Sequence, residues 1–284
     1  MKFVSRTAFA FIALSMASSA YAADLAPAPR LYTKAPPPSP MFNWTGFYVG
    51  AHGGYGDGSG SSGIFDPAAY STGIIPSMAI VPGGGTTAPF DLSAGPRGGF
   101  GGIQIGYNWQ GAGSPWVFGV EADASFGRLR GEDAKPFTVD ATVGGDIGDY
   151  TGVARLRQTI DAFGTVRGRI GYSADRFMLY ATGGLAWANV ETKLSVDNVV
   201  PGVVGNFSDA QLAALSNGAS STDARFGYAV GAGGEWAFDR NWSVKAEYIY
   251  LGFDSGNSLG IPGLSADASK LHLHTVKGGV NYHF

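Results

Sequence analysis

The stretch that decides the fold is "HTVKGGVNYHF", His274 to Phe284. Every second residue from Val276 gives Val276, Gly278, Val280, Tyr282 and Phe284, and the interleaved set is Thr275, Lys277, Gly279, Asn281 and His283. A period of two is a strand, not a helix. Termini fray unless a sheet ties them down. Alternation running to the last residue therefore predicts a strand paired on both sides. Aromatic and β-branched residues on one face predict an apolar solvent there.

Working outward, seven further alternating segments precede it, at about 42–55, 97–110, 115–127, 155–173, 176–193, 223–238 and 241–253. Most reach the roughly 9–11 residues that a tilted membrane strand needs. In the third, Trp116, Phe118, Val120, Ala122, Ala124 and Phe126 oppose Glu121, Asp123 and Ser125. The fourth sets Ile160, Ala162, Val166, Ile170 and Tyr172 against Asp161, Thr165, Arg167 and Arg169. The sixth sets Phe226, Tyr228, Val230, Ala232, Trp236 and Phe238 against Arg225 and Glu235. In the seventh, Trp242, Val244, Ala246, Tyr248 and Tyr250 oppose Ser243, Lys245 and Glu247. A soluble two-layer sandwich also alternates. Aromatics at both ends of long apolar faces instead mark the two girdles of a bilayer-spanning sheet.

The connections agree. Gly111–Ser114, Ala174-Asp175 and Asp239-Arg240 are short, whereas 56–96, 128–154, 194–222 and 254–271 are long. Short and long alternate, which puts all short turns at one end and all long loops at the other, the plan of periplasmic turns and extracellular loops. In hydrocarbon an open edge would leave backbone groups unsatisfied, so the sheet must close. The expected fold is all-β: an eight-stranded antiparallel up-and-down transmembrane β-barrel over 42–284.

The front of the chain fits export. Lys2 and Arg6 precede the apolar run Ala8–Ala17, and Ala20-Tyr21-Ala22 has a small-x-small cleavage pattern. The expectation is a signal peptide over 1–22, followed by a proline-rich periplasmic linker over 23–41. Losing Lys2 and Arg6 leaves 17 of the 19 basic residues against 22 acidic, a charge of −5. That acidity argues against a nucleic-acid partner. With no cysteine, the chain has no disulfide or thiolate–metal framework. Its 45 glycines, 6 Trp, 13 Tyr and 18 Phe with only 14% charged residues suit a lipid-facing sheet.

The stretches "FNWTGFYVGAHGGYG" (Phe42–Gly56), "GGIQIGYNWQ" (Gly101–Gln110), "WVFGVEADAS" (Trp116–Ser125), "VRGRIGY" (Val166–Tyr172) and "VKGGVNYHF" (Val276–Phe284) resemble the porin-family outer-membrane barrels of alphaproteobacteria, a group of surface antigens and hemin-binding proteins. The resemblance covers residues 42–284 and fails in the loops. It implies structural and immunogenic roles, with heme binding or pore formation in some members, and no shared catalytic set. It also implies that Val280, Tyr282 and Phe284 form the signal read by the barrel-assembly machinery. Outer-membrane lipid and lipopolysaccharide are the remaining expected partners.

The strongest chemical constellation lies on the inner face. Glu121 and Asp123 neighbour Arg167 and Arg169, and Glu235, Lys245, Glu247 and Lys277 continue the polar lining. Such a ring is either a selectivity lining or a salt-bridged plug, and an eight-stranded barrel has room only for its own side chains. Mixed signs on adjacent strands favour the plug, since unpaired buried charges cost several kcal/mol each. No cofactor is expected. His272 and His274 share a face and are the weak metal or heme candidates, pointing to lipid or the rim. Gly58-Ser59-Gly60-Ser61-Ser62-Gly63 has dinucleotide-binding spacing, but Pro67 and Pro76 are expected to bar a following helix, so it reads as loop flexibility. "GIFDPAAY" (Gly63–Tyr70) and "GIIPSMAIVPGGG" (Gly73–Gly85) make the first loop apolar, either a lid or a patch for an extracellular ligand. Ser208 with Gln211 predicts a capped short helix over 208–215. The only Ser–His proximity expected at a rim is Ser269 with His272 or His274, so no catalysis is expected. A structural surface protein with a closed lumen is the first expectation. A narrow diffusion porin and a loop-borne heme or host-ligand binder are the alternatives.

Overall fold

The computed structural model describes residues 42–284 apart from 144–145, 203–206, 257 and 268–269. The expected signal peptide and linker lie outside the described residues. The elements run β1 (Gly46–Ser59), β2 (Ser62–Phe65), α1 (Pro67–Ile74), β3 (Met78–Ile80), β4 (Phe90–Ser93), β5 (Arg97–Gln110), β6 (Trp116–Val143) and β7 (Asp146–Ala174). They continue β8 (Phe177–Pro201), α2 (Asp209–Leu215), β9 (Gly218–Ala237), β10 (Trp242–Phe253), β11 (Leu259–Ile261), β12 (Leu264–Asp267) and β13 (Leu271–His283).

Eight long strands form a ring in the order β6-β5-β1-β13-β10-β9-β8-β7, and the pairing of β7 with β6 closes it. Every pairing is antiparallel, including β1 with β13, which joins the two ends of the barrel sequence (Tyr48 opposite His283, Asp57 opposite His274). The alternation read from the sequence appears as burial. Phe118, Val120, Ile103, Val166, Phe226, Val230, Val276 and Val280 stand exposed on the outer face, while their neighbours in sequence point inward. The lipid-facing belt is therefore apolar where hydrocarbon would lie. Trp116 against Tyr172, and Trp242 against Tyr282, supply aromatic pairs at its short-turn rim.

Two expectations are corrected. First, 128–154 and 194–222 are not simple loops: β6, β7, β8 and β9 span 28, 29, 25 and 20 residues. Strands β6 and β7 carry nearly all of 128–154, and 194–222 holds the end of β8, α2 and the start of β9. The tall wall is built like a soluble sheet, polar outside and apolar within. Second, Ile160 is fully buried and Asp161 is exposed, the reverse of the expected faces. A bulge shifts the β7–β8 register between Ile160 and Ala162 and the β6–β7 register between Phe126 and Leu129. A one-residue slip exchanges the faces of every residue beyond it.

The first and last long connections are also structured. β11, β12, β2 and β4 make a second, four-stranded sheet. It shares an apolar core with the tall wall, in which Phe65, Leu92 and Leu264 meet Phe137, Val139, Leu156 and Leu194. Tyr70 of α1 and Leu215 of α2 are buried in the same core. Asp66 caps α1 by accepting from the Ala68 and Ala69 amides at 3.0 and 3.1 Å, with Pro67 in the first turn. The expected capping box of α2 is present, the Ser208 amide donating to Gln211 Oε1 at 2.8 Å. The glycine-rich run Gly58–Gly63 is not slack loop, since it ends β1 and opens β2. Against expectation a helix, α1, follows it, because Pro67 stands in the first turn where proline is tolerated.

Candidate functional site in the barrel lumen

The inward positions stack in layers. At the short-turn end Trp44 is fully buried among Val117, Met178, Tyr180 and Ala237. Its Nε1 donates to Ser173 Oγ at 2.8 Å. Above it lies a layer of charge, and above that an apolar layer with Phe100, Leu129, Ile160, Phe163, Leu251 and Leu273. The Phe100 and Phe163 rings meet edge to face at 4.9 Å. Alternation supplies this order directly: inward positions of β6 read Val117, Glu121, Asp123 and then Leu129.

The eight charged residues picked from the sequence come together in the middle layer, and none is more than 7% exposed. Arg167 Nη2 reaches Glu121 Oε1 at 2.7 Å and Asp123 Oδ2 at 3.1 Å, and its Nη1 donates to Glu247. Lys245 Nζ lies 2.8 Å from both Glu121 oxygens. Lys277 lies 3.4 Å from Asp123 and 3.7 Å from Glu247. Arg169 binds Glu235 at 2.8 Å and stacks over the Tyr180 ring at 4.1 Å. Glu121, Asp123, Glu235 and Glu247 thus balance Arg167, Arg169, Lys245 and Lys277. Buried ions need this pairing, because each loses its hydration on entering the lumen.

Sequence reasoning did not single out Tyr48, His52 and Gln104, and it put Ser125, Ser243, Asn281 and His283 on polar faces without joining them to the charges. Tyr48 donates to Glu121 at 2.7 Å and accepts from Arg169 at 3.0 Å. His52 bridges Gln104 at 2.8 Å and Ser125 at 2.9 Å. Ser243 and Asn281 donate to Glu235 at 2.6 and 2.7 Å, and His283 stands 3.4 Å from it. The signal was available: Tyr48 and His52 occupy the inward parity of β1, as Asn281 and His283 do on β13. Glycines make the room. A Cβ on Gly102 would lie 2.6 Å from His52 Nε2, so no larger residue fits beside that ring.

The other candidates lie elsewhere. His272 and His274 are on the outer wall, where Tyr250 and Tyr248 hydroxyls each meet an Nδ1 at 2.6 Å. Among the described residues no three His, Cys, Asp or Glu side chains gather to hold a metal. Ser269 lies outside the described residues. Val280, Tyr282 and Phe284 share the outer face of β13 and its end, with the Tyr282 and Phe284 rings 5.2 Å apart.

The sequence profile described as Outer membrane protein beta-barrel domain matches residues 9–284. The 31 kDa outer-membrane immunogenic protein of Brucella melitensis is 33% identical over 279 residues, 97% of this chain and 98% of that protein. The 22 kDa outer membrane protein of Rhizobium leguminosarum is 28% identical over 220 residues, 77% of this chain and 69% of that protein. Among solved structures, the outer membrane protein OprG of Pseudomonas aeruginosa aligns over 86% of this chain and 99% of its own, at 12% identity and a TM-score of 0.36. The chain belongs to the outer-membrane β-barrel family, and its closed ring of strands is that family's membrane-embedded barrel.

Proposed function

We propose that the protein is a non-catalytic structural and surface barrel whose lumen does not conduct, with its long-loop end displayed outside the cell. The observation that carries this is the neutral layer of four acids and four bases, each at most 7% exposed, sealed between the Trp44 layer and the Phe100–Phe163 layer. A selectivity filter needs a water path past its charges. Here the charges face one another and occupy the space between the walls.

Display at the loop end is supported by the folded cap of α1, α2 and the four-stranded sheet, and by a relative named an immunogenic outer-membrane protein. The absence of catalysis is supported by the Ser–His contacts among the described residues. Ser125 with His52 and Ser243 with His283 both lie inside the barrel, and both serines are fully buried. Val280, Tyr282 and Phe284 serve as the recognition segment for the assembly machinery.

The test is single-channel recording of the refolded protein in a planar bilayer, with folding verified by heat-shifted gel mobility. A silent membrane is expected. Steady, ion-selective openings would reject the closed lumen and make Glu121, Asp123, Arg167 and Arg169 a filter.

A further inference from the structure

Above the apolar belt, the outer wall of β6, β7 and β8 carries cations that are matched one by one. Arg157 reaches Glu132 at 2.8 Å, Lys193 reaches Glu191 at 2.9 Å, Arg155 reaches Asp197 at 3.3 Å and Arg128 faces Asp161 at 3.9 Å. Two guanidinium groups are left over. Arg97 on β5 and Arg130 on β6 are direct cross-strand partners, and both are exposed. Among the described residues no carboxylate oxygen comes within 4.0 Å of either. Asp57 is the partner of Arg97 on the β1 side and stays beyond that distance. Like charges directly opposite on a ladder repel and destabilise the pairing. An anion held between two guanidinium forks reverses the sign of that interaction.

A second feature lies directly beneath. The next outward positions of β5 below Arg97 are Gly99 and Gly101, and Gly53 of β1 is the partner of Gly101. The barrel interior does not require glycine at these three places: a Cβ on Gly53, Gly99 or Gly101 would meet nothing nearer than 3.6 Å. They form the floor of a channel on the lipid face, with exposed Tyr55 on one side and Phe126 on the other. The groove continues toward the short-turn end over Ala51, Ile103, Ala122 and Ala124. An acyl chain fits such a floor, where a free anion gains nothing from it.

We propose that Arg97 and Arg130, with the glycine channel below them, form a docking site for lipopolysaccharide. Its phosphate or carboxylate head group bridges the two arginines, and one acyl chain lies along Gly99 and Gly101. The assignment rests on the reading that the loop end faces outward, because this lipid occupies the outer leaflet. It is independent of whether the lumen conducts.

The test titrates lipopolysaccharide into the refolded protein in neutral detergent and follows the midpoint of thermal unfolding, with inorganic phosphate as a parallel arm. Lipopolysaccharide should raise the midpoint, inorganic phosphate should not, and R97Q/R130Q should weaken the response about tenfold. G99V/G101V keeps both arginines, places its Cβ atoms at ordinary contact distance, and should also weaken it. Arg240→Gln in the turn before β10 should leave it unchanged. Three results would overturn the site: an unchanged response in folded R97Q/R130Q, an equal response to inorganic phosphate, or no loss in G99V/G101V. A conducting barrel that still binds the lipid rejects only the closed lumen, whereas a silent barrel that ignores the lipid rejects only this site.

Discussion

Arg167 lies directly opposite Glu121 on the β6–β7 ladder and binds it at 2.7 Å, yet the same guanidinium also donates across the lumen to Glu247 on β10. The first contact would form in any open sheet. The second exists only when the ring is closed, because β10 lies across the ring from β6. The charge layer is thus coupled to closure, and its energetics should report on the whole barrel.

Arg167→Met should leave Glu121, Asp123 and Glu247 short of their shared cation at a cost of about 3–5 kcal/mol, the usual penalty for stranding buried charge. Arg167→Lys should recover part of this, since a point charge cannot fork to three acids. Urea titration read by gel mobility measures both. Equal midpoints for Arg167→Met and the parent would mean that the network contributes nothing to closure.

Truncating Lys245 and Glu247 together to Ala removes one charge of each sign and opens a polar cavity that water can fill. The variant should fold and stay electrically silent, because Trp44 still closes one side and the Phe100–Phe163 contact the other. Openings in planar-bilayer recordings of this variant would show that the charges alone hold the lumen shut.

The barrel was legible where one simple rule governs: between Trp116 and Phe126 the outer solvent is lipid, so apolar residues alternate without exception. Above Phe126 the same strand carries Arg128, Arg130 and Glu132 outward and Leu129 inward, and the pattern inverts. Gly131 and Pro136 add to the appearance of a loop. Pro136 is tolerated because β5 ends opposite Arg130, leaving its amide side without that neighbour. The bulge at Ile160 has no glycine or proline to announce it. The α1 signature, Asp66-Pro67 before two alanines, is local, but Gly63, Gly73 and Pro76 around it give the stretch the look of a loop. Pairing of β2 with β12, by contrast, joins residues as distant in sequence as Phe65 and Leu264, and no local pattern encodes it.

The cap should open in alkali before the barrel does. Burial pushes the Tyr150 hydroxyl from its ordinary 10.0 up to about 12 and raises Tyr70 as well. Both are neutral when folded: Tyr150 meets Ser71 Oγ at 2.5 Å and Tyr70 donates to the Leu215 carbonyl at 2.5 Å. A phenol whose folded pKa is raised contributes stability that is complete below its unfolded pKa and lost as pH rises above it. Hydrogen exchange should therefore accelerate in α1 and the four-stranded sheet between pH 10.0 and about 12, with the belt strands still protected. Tyr150→Phe should blunt the transition. Simultaneous loss of cap and belt protection would refute a separable cap.

Phe284 separates assembly from stability. Phe284 is 74% exposed, and its backbone amide donates to the Phe47 carbonyl at 3.0 Å, a bond that alanine keeps. Phe284→Ala should thus change the stability of the protein refolded in detergent by no more than about 0.5 kcal/mol, as expected of an exposed substitution. In cells the same variant should reach the outer membrane in much smaller amount if the outward row of Val280, Tyr282 and Phe284 has its proposed role as the segment read by the assembly machinery. Quantifying heat-modifiable protein in outer-membrane fractions decides it. Parent-level amounts of Phe284→Ala would show that the row is only a lipid-facing surface.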